Sequence, residues 1–342
     1  MLFHAIRRTI RVEEALLLVA LTLLLALRVW CGASYVSVHS LTERIVVVFK
    51  PSFAVVIFVF IVAPFMKNWF KTLWASTVSN RPAPYRMVYA TLGRSMTEML
   101  RFFRGYLPFM LIVAIYDSFT SRYTMDGFNL TRVIVKNDLT YLLIKADEMM
   151  FGTQTSYLTQ KYITAQLTDL MYVGYALHFI FPLILATSFY LKKREDYFRE
   201  LILAVVVVSC IGYVGYLMFP SMSPLYVLSY ETDLYGGHIS DLVASEIARV
   251  RSEQRDCCLF PSLHVGISTV TLILAYRRDK KLFLLLAPFI VLSWASTVYL
   301  RRHFVIDIIA GWVTAWIAVY VTPRINEWWY GTKGGNIVSG SG

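Results

Sequence analysis

His303 and Asp307 stand four residues apart in the stretch STVYLRRHFVIDIIAGW, residues 296–312. Residues i and i+4 share a helix face, and Asp307 falls one turn into an apolar run. An ionisable side chain in such a run is costly and is a functional candidate by default. A carboxylate that accepts from one imidazole nitrogen fixes the tautomer and leaves the other nitrogen as nucleophile or base. Simple neutralisation of a buried charge would give the same pairing. A second histidine, His264, sits in CCLFPSLHVGIST, residues 257–269, behind Pro261 and Ser262 at the mouth of another apolar run. Proline is favoured at the first helical position, so a helix is expected to begin near Pro261. The N–H groups of Ser262, Leu263 and His264 would then point out of its end. Free N–H groups at a positive dipole end bind anions, and Ser262 adds a hydroxyl. An ordinary cap beside an interfacial histidine would read the same way.

The surroundings of these residues are apolar. Of 342 residues, 57% are hydrophobic and 16% charged, and the mean hydropathy is +0.56. Soluble domains carry about 25% charge and about 45–50% apolar residues, so an all-α polytopic membrane protein is expected. Net charge is +11; in a membrane chain that excess marks cytoplasmic loops rather than a nucleic-acid partner. The 15% aromatic content fits interfacial belts better than base stacking. Four cysteines, Cys31, Cys210, Cys257 and Cys258, show no metal-ligand spacing. The apolar stretch after the basic N-terminus is long and lacks a convincing cleavage site, so it reads as a retained span.

At about 20 residues per span, eight transmembrane helices are expected near 12–30, 45–66, 105–120, 169–191, 200–219, 262–277, 282–300 and 303–322. Residues 1–100 form an N-terminal transmembrane pair with a basic loop, 101–323 the catalytic core and 324–342 a flexible tail. Basic clusters at Arg7–Arg11, between the second and third spans, at 192–199 and at 277–281 place those loops in the cytoplasm. The segment 121–168 carries Arg122, Arg132, Lys136, Lys145 and Lys161 on the other side and patterns as amphipathic surface helices. Within it Asn129-Leu130-Thr131 is a glycosylation acceptor in a eukaryotic cell. With this topology His264 begins one span and His303 follows the next at the same extracytoplasmic face. Two histidines can divide acid and base work, and Arg301 and Arg302 there could hold a phosphate.

These segments resemble the type 2 phosphatidic acid phosphatase superfamily, and within it the inositol phosphorylceramide synthase branch and its bacterial relatives. The likeness runs over roughly 105–323. It rests on Pro261-Ser262-Leu263-His264, on His303-Phe304-Val305-Ile306-Asp307 with Gly311, and secondarily on three stretches. These are Ala146–Gly152, Tyr175–Pro182 and Tyr213–Pro220 with Pro224. The resemblance implies a six-helix phosphatase-like catalytic core and a metal-independent, cofactor-free reaction. His303 would attack phosphorus, Asp307 orient it, and His264 protonate the departing oxygen and then deprotonate the acceptor. Ser262, Leu263, Arg301 and Arg302 would bind the phosphoryl oxygens. His178, Asp147 and Arg255 are candidate substrate contacts. Two departures stand out. Thr297 occupies the position of a superfamily arginine, for which Arg301, one helical turn on, is the expected substitute. The upstream Lys…Arg-Pro motif is missing around 220.

Three functions follow. One is a phosphotransferase moving a headgroup such as phosphoinositol from a membrane phospholipid to a lipid or lipid-linked alcohol. The second is a lipid phosphate phosphatase. The third is a transporter with a His–Asp relay, which the gathering of polar residues at one face and the lack of an internal repeat argue against. The expected location is a bacterial inner membrane or a Golgi membrane.

Overall fold

The helix that carries Asp307, Val305–Tyr330, is the last and longest among the described residues. The computed structural model describes residues 10–30, 74, 97, 101, 104–112, 115–116, 138–242 and 259–331. Every regular element among them is helical. The chain divides into two units, Met1–Tyr35 with Ile115–Gly342, and Val36–Ala114. In the second unit residues 104–112 are helical. The span expected at 45–66 and most of the second half of the span expected at 105–120, together with Asn129, Arg255, Cys31, Cys257, Cys258 and residues 332–342 of the tail, lie outside the described residues.

In the first unit the helices among the described residues are α1 (Val12–Trp30), α2 (Thr140–Phe151), α3 (Thr155–Thr159), α4 (Ala165–Ala176), α5 (Ile180–Leu191), α6 (Glu195–Met218), α7 (Pro224–Val227), α8 (Leu263–Arg278), α9 (Lys280–Tyr299) and α10 (Val305–Tyr330). The protein is an integral membrane protein: α6, α9 and α10 are each long and apolar enough to cross a bilayer. The pair α4 and α5, bent by 48° at the 3₁₀ turn Leu177–Phe179, makes a fourth if read as one span. The span expected at 262–277 is the 16-residue α8, about 24 Å long at 1.5 Å per residue. That is shorter than a hydrocarbon core of about 30 Å.

α8 packs against α6, α9 and α10, and α9 packs against α4. Residues Leu201 to Ser209 of α6 are buried all round, as expected of a helix apolar on every face. Between the helices lie small residues and hydroxyls, which permit close approach. Three of the buried hydroxyls return to their own helix: Ser268 donates to the His264 carbonyl at 2.8 Å, Thr271 to Ile267 at 2.9 Å and Thr314 to Gly311 at 2.9 Å. No polar atom of these side chains is then left bare in apolar surroundings. Two glycines fit backbone to backbone. A Cβ on Gly311 would lie 2.7 Å from the Ser262 carbonyl oxygen, and one on Gly215 would lie 2.3 Å from Pro261 Cδ. Facing outward are Leu284, Leu285, Val291, Val313, Trp316 and Ile317, a surface suited to hydrocarbon.

The basic turns share one end. Lys192 pairs with Asp279, Arg278 Nη2 lies 2.9 Å from Glu200 Oε2, and Arg194 Nη1 donates to the Arg278 carbonyl. Asp279 also caps α9 through the Leu282 N–H. The neighbouring Lys192 ammonium holds the Asp279 carboxyl below its ordinary value, with the Leu282 N–H adding to the effect. α8, α9 and α10 run alternately from this end, so Ser262 and His303 emerge together at the other.

Candidate active site

α8 begins two residues later than proline statistics suggest. Ser262 is its N-cap, its hydroxyl accepting from the Val265 N–H, and Leu263 is the first helical residue. Pro261 precedes the cap and follows a cis peptide bond from Phe260. The Ser262 N–H is not open to an anion, because it donates to the Asp307 carbonyl at 3.1 Å. That bond and the Gly311 contact clamp the start of α8 against the first turns of α10.

The turn from α9 to α10 presents His303. The N–H groups of Arg302 and His303 both donate to the Thr297 carbonyl, at 2.8 and 3.1 Å. Thr297, where a cation was expected, thus folds the turn through its backbone. His303 Nδ1 lies 3.2 Å from Asp307 Oδ2, and Nε2 lies 3.2 Å from Ser262 Oγ. With Nδ1–H donating to the carboxylate, Nε2 keeps its lone pair and faces the serine hydroxyl. Asp307 is fully buried. Its Oδ2 also accepts the Phe304 N–H at 2.9 Å, while Oδ1 has no hydrogen-bond partner.

His264 sits in the first turn of α8 with Nε2 3.0 Å from Ser293 Oγ of α9. Its ring stacks on His178, with centroids 3.6 Å apart at 27°, and packs on Tyr175 at 4.6 Å. His178 stands at the bend between α4 and α5, Nδ1 2.8 Å from the Tyr175 carbonyl.

The two arginines differ. Arg301 does not continue α9. Its φ of 58° is left-handed, a region that non-glycine residues seldom enter outside functional or strained sites. Its carbonyl accepts from Leu225 N–H at 2.9 Å and Ser223 Oγ at 2.7 Å. Its guanidinium lies 3.6 Å over the Tyr230 ring and donates to the Thr232 carbonyl. Burial pushes the Tyr230 hydroxyl up to about 12, so it stays protonated and donates to Ser156 at 3.0 Å. Arg301 is only 3% exposed; it holds the loop after α7 through its carbonyl and one guanidinium nitrogen, while its Nε has no hydrogen-bond partner. Arg302 is partly exposed, and its Nε has no hydrogen-bond partner.

Asp147, expected among substrate contacts, is 1% exposed. Its oxygens accept the N–H groups of Val305 and Ile306, each at 3.0 Å. Burial raises its carboxyl from the ordinary value, and the two N–H groups pull it back. This pairing spans 158 residues and has no periodic signature. The nearest sequence signal is the acid itself, within an apolar stretch. Among the described residues no group of three His, Cys, Asp or Glu side chains could hold a metal ion.

A histidine held by a buried carboxylate, a serine at its free nitrogen, and a second histidine in the first turn of the facing helix suit nucleophilic transfer of an acyl or phosphoryl group. The comparisons decide between them. Residues 143–321, more than half of the chain, match the PAP2 superfamily. The chain belongs to the PAP2 superfamily. It is also 23% identical, over 282 residues, to the inositol phosphorylceramide synthase catalytic subunit AUR1 of Saccharomyces cerevisiae. That alignment covers 76% of this chain and 68% of the yeast protein. No solved structure matches. As a PAP2 protein the chain is placed among membrane phosphatases and phosphotransferases acting on lipids, and the transporter alternative loses its support.

Proposed function

We propose that this PAP2 protein transfers a phosphorylated headgroup from a phospholipid to a lipid or lipid-linked alcohol through a phosphohistidine at His303. The observation that carries the reading is His303 itself, Nδ1 on buried Asp307 and Nε2 turned to Ser262. In the first half-reaction the Nε2 lone pair attacks phosphorus and the bond to the donor lipid oxygen breaks. His264, as imidazolium, gives that oxygen its proton. In the second half the acceptor hydroxyl gives its proton to His264, its oxygen attacks phosphorus, and the P–N bond breaks. Both histidines return to their starting forms. The Ser262 hydroxyl, the Leu263 N–H at the start of α8 and the Arg302 guanidinium bind the phosphoryl oxygens. Preorganised donors of this kind stabilise the developing charge without a metal. Likeness to the yeast synthase subunit favours a phosphoinositol-type donor and a sphingolipid-type acceptor over water.

The positive-inside rule supports an extracytoplasmic site. The turns at 192–194 and 277–281 carry Lys192, Lys193, Arg194, Arg277, Arg278, Lys280 and Lys281 at the end opposite His303. Donor and acceptor then come from the outer or lumenal leaflet. By the same reading residues 101–323 are the catalytic core.

A second reading rests on the Ser262–His303–Asp307 order, which matches a serine triad. His303 would then be the base and Ser262 the phosphorylated residue.

Transfer from a labelled phospholipid by the purified protein in mixed micelles tests the proposal. His303→Ala should abolish it, and Asp307→Asn should lower it by about 10⁴, as loss of the orienting carboxylate does in a triad. Substantial transfer by His303→Ala would remove His303 from the chemistry.

A further inference from the structure

We propose that Asp147 is a positioning residue for the transfer: by capping α10 from α2 it fixes the ring of His303 and directs the phosphate to the start of α8. The inference rests on the function proposed above.

α2 is amphipathic. Tyr141, Leu142, Met149, Met150 and Phe151 are exposed, whereas Thr140, Leu143 and Asp147 are buried. Burying an acid needs compensation, and Asp147 finds it in two N–H groups. α10 has the complementary need. Its N-cap is Phe304, whose side chain has no acceptor for the first N–H groups of the helix. Asp307 takes the Phe304 N–H, and Asp147 takes those of Val305 and Ile306. A residue from a distant helix thus does the work usually done by Ser or Asp at the N-cap. His303 is the residue immediately before this capped turn, so the place of the turn sets the place of the ring.

The capping also has an electrostatic consequence. A helix N-terminus attracts anions through its free N–H groups and positive dipole end. Two carboxylates occupy that end of α10 and repel a phosphate. The start of α8, where Ser262 faces His303 Nε2, carries no such acid among the described residues. The phosphoryl group is therefore steered to the Nε2 side of the ring, the side from which attack must come.

α2 is anchored independently of its acid. Leu139 N–H donates to the Pro220 carbonyl at 3.0 Å, Met222 N–H to Thr140 Oγ1 at 2.8 Å, and Gln154 Nε2 to the Ile144 carbonyl at 2.9 Å. An Asp147→Asn protein should therefore fold, with one amide oxygen still accepting and the NH₂ set against a backbone N–H. Its kcat should fall about 30-fold, since small misplacements of a reacting group cost up to about a hundredfold. The KM for the donor should stay within about threefold, because no substrate contact is lost. Combined with Asp307→Asn it should add less than about threefold, since both act through one ring. Asp147→Glu serves as the second variant, with the same kcat loss and steady KM expected. Ring placement is also read without substrate, by mass spectrometry of diethyl pyrocarbonate modification. The rate at His303 should rise at least about threefold in Asp147→Asn while exposed His238 stays unchanged, loss of a fixed contact being local. A kcat within about threefold of wild type, a raised KM with unchanged kcat, multiplying effects in the double variant, or an unchanged His303 rate would each overturn the inference. An inactive wild type with a changed His303 rate would instead sink the proposed function and leave the positioning role standing.

Discussion

His178 and His264 lie face to face, ring centroids 3.6 Å apart and 27° from parallel. His178 comes from the bend between α4 and α5 and His264 from the first turn of α8, so the stack joins the bent pair to the reaction end of the bundle. Held by Tyr175 and Ser293 as well, the ring proposed to transfer protons has little freedom to turn.

If the stack orients His264, ring shape at 178 matters more than its proton. His178→Ala should lower kcat by roughly tenfold, a part of the about 10²–10⁴ that a general acid contributes. His178→Phe should recover most of it. Steady-state kinetics on both variants check this. A phenylalanine variant as impaired as the alanine one would point to direct contact of the imidazole with substrate.

Gly311 tests the clamp between α8 and α10. A methyl there meets the Ser262 carbonyl oxygen at 2.7 Å and Val265 Cβ at 3.0 Å, and neither can withdraw without moving α8. Gly311→Ala should cost about 1–3 kcal/mol, the range of overpacked cores, and separate Ser262 from His303. Thermal unfolding in detergent and specific activity should fall together. Unchanged values in both would show that the helices part easily.

Chelators should leave turnover intact, because the proposed stabilisation comes from Ser262, the α8 start and Arg302. Activity is compared before and after EDTA and then with added divalent ions. Loss on chelation with recovery on metal addition would contradict the metal-independent route.

The histidine motifs were legible because they are local. His303 and Asp307 obey an i,i+4 rule, and alternating span direction brings Ser262 and His264 to the same end as His303. Three features escaped for lack of a local signature. Asp147 was singled out, but its capping contact lies at a helix start 158 residues away. The His178–His264 stack depends on a bend that hydropathy does not record. The left-handed backbone at Arg301 and the place of its guanidinium over the Tyr230 ring have no local signature either. The start of α8 shifted because a serine N-cap outcompetes a proline N1 when its hydroxyl reaches Val265 N–H.

The proposed sidedness rests on charge and is open to labelling. In a cysteine-free background, Asp233→Cys and Lys280→Cys put single thiols at exposed positions, the first in the loop after α7 and the second at the start of α9. A membrane-impermeant thiol reagent should label the first in intact cells and the second only after permeabilisation. The reverse pattern would put the site in the cytoplasm and leave the histidine chemistry untouched.

The phosphorylated intermediate tests the central claim most directly. The protein is mixed with a donor phospholipid without acceptor, quenched in base and digested, and the site of modification is read by mass spectrometry. The account predicts a phosphoryl-headgroup adduct on His303, lost in acid, absent from His303→Ala, and discharged when acceptor alcohol is added before quenching. An adduct on Ser262 stable to acid, or turnover with no adduct on His303, would contradict it.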